Sequence, residues 1–160
     1  MVKILVIGSG AREHAIIKSL NKSKKEKEIY CLASNNNPGI SDICKEMKII
    51  DINDAQLIKD HSIKQSINIA IIGPENPLAH GVADSLWDAG IGVIGPKKNL
   101  AQIETSKSFA RNLLREYKIP GCPKFKTFIN MEGVKDFLSL LGDNYVVKYD
   151  GLAGGKGVKV

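Results

Sequence analysis

Short apolar segments alternate with amphipathic ones along the first hundred residues, and this pattern predicts an α/β domain. Val2–Ile7 is a β-branched run that ends at a glycine, as strands do, and Ile67–Ile72 is apolar except at Asn68, a pattern typical of a central parallel strand. Three further strands are predicted, at Glu28–Ala33, Lys48–Ile52 and Ile91–Ile94.

Helical spacing of apolar residues predicts three helices between these strands, at Arg12–Leu20, Asp54–Lys64 and Leu78–Ala89. In the second of them we expect Leu57, Ile58 and His61 to face inward. The segment Ile40–Met47 is ambiguous. Strands that alternate with helices across short loops predict a doubly wound parallel sheet.

Ligands bind such sheets at the carboxyl ends of the strands. The loops of unusual composition, Gly8–Arg12, Ser34–Gly39 and Gly73–Pro77, all follow predicted strands. We therefore expect them to converge on one binding edge.

The pattern changes after Gly95. Helices are predicted at Leu100–Glu104, Ser106–Tyr117 and Glu132–Leu141, and strands at Lys124–Phe128 and Tyr145–Tyr149. We expect two domains, residues 1–100 and 101–160, with the boundary near residues 96–105.

The composition of the 160 residues, with 43% hydrophobic and 25% charged residues, is ordinary for a globular protein. We expect neither a membrane span nor a secretory leader, because the apolar runs have the length of strands and no basic-then-apolar leader precedes the first strand. The three cysteines form no CxxC pattern, which argues against a disulfide framework or a zinc site and favours the cytoplasm. The lysine-rich run at residues 22–27 lacks interleaved aromatic residues, so we interpret it as a solvated loop rather than a nucleic-acid surface.

The first loop, Gly8–His14, matches a dinucleotide fingerprint only in part. Gly8 and Gly10 allow a close backbone approach at a helix N-terminus, but Glu13 replaces the third glycine of that motif. A carboxylate there would repel a pyrophosphate, so an NAD-dependent oxidoreductase is disfavoured. A smaller hydroxylated or positively charged ligand and a purely structural turn both remain open.

Glu75 follows the most buried predicted strand and lies between Pro74 and Pro77 in a stiff loop. A carboxylate fixed at the edge of the sheet could accept hydrogen bonds from ribose hydroxyls. The alternative is an acidic residue that stabilises the start of a helix.

The last loop, Asp150–Gly157, has four glycines and connects two predicted strands. It is not a Walker A loop, since neither the motif nor a following helix is present. Glycine-rich loops between strands can fold over a nucleotide triphosphate and donate backbone N–H groups, and Lys148 and Lys156 would add positive charge. A flexible hairpin is the alternative.

Several stretches together resemble glycinamide ribonucleotide synthetase (phosphoribosylamine–glycine ligase), a branch of the ATP-grasp superfamily. They are the residues 6–15, 37–39, 72–84, 95–96, 104–109, 118–120 and 147–158. Ala11 stands where the family often has glycine, and Gly154 where alanine is common. The resemblance implies a nucleotide-fold substrate domain followed by the start of an α+β ATP-grasp domain.

The resemblance also implies a reaction. ATP would phosphorylate the carboxylate of glycine, and the amine of 5-phosphoribosylamine would attack the glycyl phosphate to give glycinamide ribonucleotide, ADP and phosphate. The implied substrate-binding residues are Gly8, Gly10, Arg12, Glu13, Pro38, Gly39 and Glu75. The implied ATP-binding residues are Lys107 and Lys148, as the paired lysines on the phosphates, with Gly151, Gly154, Gly155, Lys156 and Gly157 as the lid.

The family is about two to three times longer, as expected of several domains. Ligands for Mg²⁺ or Mn²⁺ are therefore expected beyond residue 160, with none in this segment, and the 160 residues alone are expected to be inactive. We expect a monomer with small-molecule partners. Another ATP-grasp carboxylate–amine ligase or carboxylase, and a non-enzymatic module that binds a sugar phosphate, remain open alternatives.

Overall fold

The computed structural model describes all 160 residues and divides them into two compact units, residues 1–101 and 102–160. Strands and helices alternate in the first unit. Its elements are β1 (Val2–Ile7), α1 (Ala11–Asn21), β2 (Lys27–Ala33), α2 (Pro38–Ser41), β3 (Glu46–Ile49), α3 (Ala55–Lys64), β4 (Ile69–Ile72), α4 (Glu75–Ala79), α5 (Val82–Asp88) and β5 (Gly92–Ile94). The division falls within α6 (Lys98–Thr105).

The five strands of the first unit form one parallel sheet in the order β3-β2-β1-β4-β5. Ile4 of β1 pairs with Ile29 of β2 on one side and with Ile69 of β4 on the other. The predicted parallel sheet is thus confirmed. The strand order reverses between β1 and β4, and such a switch point opens a crevice at the carboxyl ends of the strands.

Apolar clusters cover both faces of this sheet, as a parallel sheet requires. Leu5 of β1 belongs to a cluster that includes Ile58 of α3 and Leu86 of α5. Its neighbour Val6 belongs to the other cluster, with Ile17 of α1. Consecutive strand residues point to opposite faces, so the apolar run Ile4–Ile7 within β1 is explained by burial on both sides.

Three predictions for the first unit need correction. The third strand was placed too late, since β3 ends at Ile49 and the chain then leaves the sheet. The single helix predicted at Leu78–Ala89 is two helices, α4 and α5, because Gly81 between them adopts a left-handed conformation with φ of 81°. Leu57 is 40% exposed, whereas Ile58 and Ser62 supply the buried face of α3.

The second unit contains the last half of α6, then α7 (Lys107–Glu116), α8 (Val134–Leu141) and an antiparallel pair of two-residue strands, β6 (Val147–Lys148) and β7 (Val158–Lys159). The strand predicted at Lys124–Phe128 is absent, and the one predicted at Tyr145–Tyr149 is reduced to β6. Strands need a partner for their backbone groups, and residues 102–160 form only the β6–β7 pair.

None of the helices is both long enough and apolar enough to cross a membrane.

Candidate functional site

A cleft of about 480 Å³ lies at the carboxyl ends of the strands in the first unit. The loops after β1 and β4 form part of it because these strands are neighbours in the sheet. Their backbone pairing continues to the strand ends, where Gly73 donates to the carbonyl of Ile7 at 3.1 Å. The lining residues are Gly8, Ser9, Gly10, Glu13, Ser34, Asn35, Asn36, Asp51, Ile52, Asn53, Pro74 and Asn76.

Glu13 connects the two central loops of the cleft. Its side chain is buried, and its Oε2 accepts a hydrogen bond of 2.7 Å from the backbone N–H of Gly10, which caps α1. A Cβ atom on Gly73 would lie 2.1 Å from Oε1 of Glu13, and one on Gly8 would lie 2.9 Å from its Cγ. Both loops therefore need glycine because the Glu13 side chain occupies the space beside them.

Arg12 joins Glu13 to Glu75. Its Nε donates to Oε1 of Glu13 at 3.0 Å, and its Nη1 donates to Oε1 of Glu75 at 3.4 Å. The hydrogen bond to Glu13 raises the pKa of Arg12 above its ordinary value against the opposing effect of partial burial, and the charges of both carboxylates add to the rise. Three predicted site residues thus meet as one charged cluster, in which the arginine already pairs both carboxylates.

Pro38 and Gly39 lie in the short helix α2 and are not among the residues that line the cleft. Asn37 precedes them and links their loop to the first one, since its Nδ2 donates to the carbonyl of Ser9 at 2.9 Å. A Cβ atom on Gly39 would lie 2.5 Å from Cε1 of His14. The structure gives Gly39 a packing role beside His14, and ligand binding by Pro38 and Gly39 stays a prediction.

Cys31 of β2 forms a hydrogen bond with the backbone of the first loop. Its thiol is buried and donates to the carbonyl oxygen of Gly8 at 3.3 Å. Burial raises the pKa of Cys31 to about 12, with smaller contributions from Cys44 and Glu13. The thiol therefore stays neutral and acts as a weak hydrogen-bond donor in the core.

Sequence reasoning missed the contribution of the loop after β3. Asp51, Ile52 and Asn53 line the cleft, but the predicted strand Lys48–Ile52 placed the first two inside the sheet. The available signal was the polar pair Asp51 and Asn53, which are residue types that favour loops. The true strand ends at Ile49, so this loop reaches the same edge as the others.

In the second unit, Asp150 fixes the glycine-rich loop to the start of α7. Its carboxylate accepts hydrogen bonds from the backbone N–H of Ser108 at 3.1 Å, from the Ser108 hydroxyl, and from the Ser106 hydroxyl at 3.3 Å. Although burial alone would raise the pKa of Asp150, the hydrogen bonds from Ser108, Lys107 and Ser106 lower it below its ordinary value. The helix N-terminus also favours a negative charge at this position.

The loop itself is closed by backbone hydrogen bonds. Tyr149 donates to the carbonyl of Gly157 at 2.8 Å, and Lys156 donates to Ala153 at 2.9 Å. Three of its glycines have positive φ angles, Gly151, Gly154 and Gly155. A Cβ atom on Gly157 would lie 2.8 Å from that of Ala153, so this glycine is needed for close approach.

The three predicted lysines differ in how the structure holds them. Lys107 of α7 donates through Nζ to the carbonyl of Gly151 at 2.5 Å, which places its ammonium group at the glycine-rich loop. Lys148 lies in β6 and Lys156 in the loop, and both are exposed. The structure therefore brings one lysine into contact with the loop and leaves the other two open to solvent.

The 160 residues hold no group of three or more His, Cys, Asp or Glu side chains that could bind a metal ion. That its ligands lie beyond residue 160 stays a prediction.

Family comparisons match both units. The N domain of phosphoribosylglycinamide synthetase matches residues 2–104, and the ATP-grasp (A) domain of the same enzyme matches residues 105–160. The chain belongs to the phosphoribosylglycinamide synthetase family. A phosphoribosylamine–glycine ligase from Methanosarcina barkeri is 45% identical over 159 residues, which are 99% of this chain and 36% of the relative. The chain thus spans about a third of the length of the curated relatives that it matches.

Solved structures of other proteins share the fold of this chain. Phosphoribosylglycinamide synthetase from Anaerococcus prevotii superposes with a TM-score of 0.62 at 12% identity over 92% of this chain and 37% of its own. The biotin carboxylase domain of the 2-oxoglutarate carboxylase from Hydrogenobacter thermophilus, in complex with MgADP, ADP and bicarbonate, gives a TM-score of 0.75 at 17% identity, covering 98% of this chain and 36% of its own.

Proposed function

We propose that this chain is part of a phosphoribosylamine–glycine ligase that joins glycine to 5-phosphoribosylamine with hydrolysis of ATP to ADP and phosphate. The observation that carries the proposal is the 45% identity to the Methanosarcina barkeri ligase over 99% of this chain. The geometry of each unit agrees with a part of that reaction.

The first unit would bind phosphoribosylamine in the cleft at the switch point. Gly8 and Gly10 line the cleft with backbone. Arg12 contacts Glu75, which lies between the cleft residues Pro74 and Asn76, and the Glu75 carboxylate would accept from ribose hydroxyls. The buried Glu13 keeps the two loops in place and fills the space where a dinucleotide fold would pass a pyrophosphate. This arrangement supports a sugar phosphate over NAD.

The second unit would bind the phosphate groups of ATP. Its glycine-rich loop can donate backbone N–H groups, and Lys107 at Gly151, with Lys148 and Lys156, can neutralise negative charge. Phosphoryl transfer to a carboxylate depends on positioning and charge compensation rather than on an acid or a base. The carboxylase domain of similar fold is in complex with MgADP, which supports nucleotide binding in general but not its position.

The glycyl phosphate formed by phosphoryl transfer would be open to hydrolysis, so a closed loop that excludes water would protect it. Attack by the amine of phosphoribosylamine then expels phosphate and forms the amide. We propose a cytoplasmic, monomeric enzyme with these small molecules as its partners, and we expect the 160 residues alone not to complete the reaction.

Calorimetry with separate ligands tests the two binding functions on the chain itself. Ribose 5-phosphate should bind to the chain. Glu75→Gln should weaken the binding of ribose 5-phosphate and leave the binding of a non-hydrolysable ATP analogue unchanged. Lys107→Met should weaken the binding of the ATP analogue and leave the binding of ribose 5-phosphate unchanged. Binding of the sugar phosphate alone, with no nucleotide binding under any condition, would instead favour a sugar-phosphate module. Absence of binding for both ligands would overturn the proposal.

The choice among carboxylate substrates is tested separately. In a chain that includes the remainder of the ligase, ADP release should depend on glycine. Dependence on formate or bicarbonate instead would assign the family member to another ATP-grasp reaction.

A further inference from the structure

We infer that Asn53 forms a polar subsite for hydroxyl or amine hydrogens at the amine-bearing end of the sugar phosphate. The inference rests on the proposed function and deepens it, since it assigns one end of the ligand to one wall of the same cleft. Asn53 lies in the loop between β3 and α3 and is one of the cleft residues.

Asn53 carries the one buried side-chain oxygen or nitrogen atom in the structure that lacks a hydrogen-bond partner. Its Oδ1 is closed to solvent and accepts from no group in the chain. A buried acceptor without a partner destabilises a fold, so native proteins rarely keep one unless another molecule satisfies it. The position of Asn53 beside a cleft points to a ligand as that molecule.

The backbone of this loop is fixed, which keeps the side chain at the cleft. The N–H of Asn53 donates to Oδ1 of Asp51 at 2.9 Å, and the side chain of Asp54 caps α3 by accepting from Leu57 at 2.9 Å. With the backbone held on both sides, binding in the cleft requires only that the side chain of Asn53 turn its buried amide oxygen toward the ligand. A donor on the ligand would then satisfy it.

The chemistry of the cleft selects the end of the ligand. Its walls carry the carboxylate of Asp51, the amides of Asn35 and Asn76 and the hydroxyl of Ser34, and no lysine or arginine is among the lining residues. The carboxylate of Glu13 also lines the cleft, but Arg12 and Gly10 already donate to it. Acceptors surrounded by negative charge favour hydroxyl and amine donors and disfavour a phosphate. The ring hydroxyls and the amine of the sugar therefore suit this wall, and the phosphate does not.

Asn53→Leu provides the test, because leucine keeps the shape and removes the unpaired oxygen. Calorimetry with ribose 5-phosphate should show about tenfold weaker binding, the loss expected for one hydrogen bond. The same variant should melt at a higher temperature than the wild type without ligand, which a merely structural asparagine would not do. Asn53→Asp keeps an acceptor and should retain the affinity within a few-fold.

Asn68→Leu is the matched control. Oδ1 of Asn68 accepts from the backbone N–H of Lys3 at 2.9 Å, away from the cleft, so this change should lower the melting temperature and leave the affinity unchanged. Inorganic phosphate serves as a second probe, and its binding should not respond to Asn53→Leu.

Three results would overturn the inference. If Asn53→Leu binds ribose 5-phosphate as the wild type does while Glu75→Gln binds it weakly, the subsite is wrong and the proposed function stands. If Asn53→Leu lowers the melting temperature, Oδ1 has a partner in the free chain. If the wild type fails to bind ribose 5-phosphate, the subsite and the proposed substrate fall together.

Discussion

The carboxylate of Asp150 accepts hydrogen bonds from both the backbone N–H and the hydroxyl of Ser108, which lies 42 residues earlier in the chain. Asp150 thereby acts as a cap for α7 from outside the helix, next to the N-cap residue Ser106. The contact fixes one end of the glycine-rich loop, and its removal should affect both helix stability and nucleotide binding.

Asp150→Asn should destabilise the second unit at neutral pH, because a neutral amide accepts more weakly and gains nothing from the helix dipole. We expect a loss of about 1 kcal/mol, as for removal of a cap. The folded-state pKa of Asp150 lies below its ordinary value of 3.8, so its contribution is complete above that value and is lost as the pH falls through the folded-state pKa. Denaturant titrations at pH 7 and pH 3 should therefore show a smaller difference between variant and wild type in acid. An equal difference at both pH values would show that the charge of Asp150 contributes nothing.

Lys107→Met should weaken binding of an ATP analogue by at least about tenfold, since a charge-assisted hydrogen bond contributes roughly 1.5–3 kcal/mol. Lys107 is the lysine that the structure holds at Gly151. Lys118→Met, a change on a residue beyond the end of α7, is the control and should leave the affinity unchanged. A Lys107 variant with wild-type affinity would remove this residue from the nucleotide site.

Gly73→Ala should destabilise the first unit and disturb its cleft, because the added Cβ would lie 2.1 Å from Oε1 of Glu13. Overpacking of this kind costs about 1–3 kcal/mol. Gly92→Ala in β5 is a matched control, since its nearest neighbour would be 3.6 Å away and its φ is not positive. Thermal melts with and without ribose 5-phosphate measure both effects. Similar stability of the two variants would show that Glu13 is free to move.

Cys31 should make the first unit sensitive to alkali. Its pKa is raised from 9.0 to about 12, so the folded state holds a proton that the unfolded state loses between these values. The free energy of unfolding does not depend on this thiol's titration below pH 9. Above pH 9 it falls by up to about 1.4 kcal/mol per pH unit for one proton. Unfolding measured from pH 8 to pH 11 should show a shallower decline for Cys31→Ala than for the wild type. Parallel curves would contradict the raised pKa.

A large part of the fold follows from the sequence. Residues 2–7 and 67–72 predict buried parallel strands through their apolar runs, and the glycines after them predict loops at one edge of the sheet. The errors fall where a distant partner decides the outcome: β3 begins at Glu46 because that residue pairs with Tyr30, and Lys124–Phe128 forms no strand because no segment pairs with it.

The sequence by itself determined the periodicities of the elements and the residue types of the two glycine-rich loops, because these depend on neighbouring residues. It also determined membership of the family, because the order of several motifs along the chain is a property of the sequence alone. Only the tertiary structure decided which side chains meet. Arg12 contacts Glu75, which lies 63 residues later in the chain. Asn53 reaches the cleft because β3 ends at Ile49 and the loop after it extends to the edge of the sheet. Strand order and register bring such groups together, and they depend on long-range packing that no local pattern encodes.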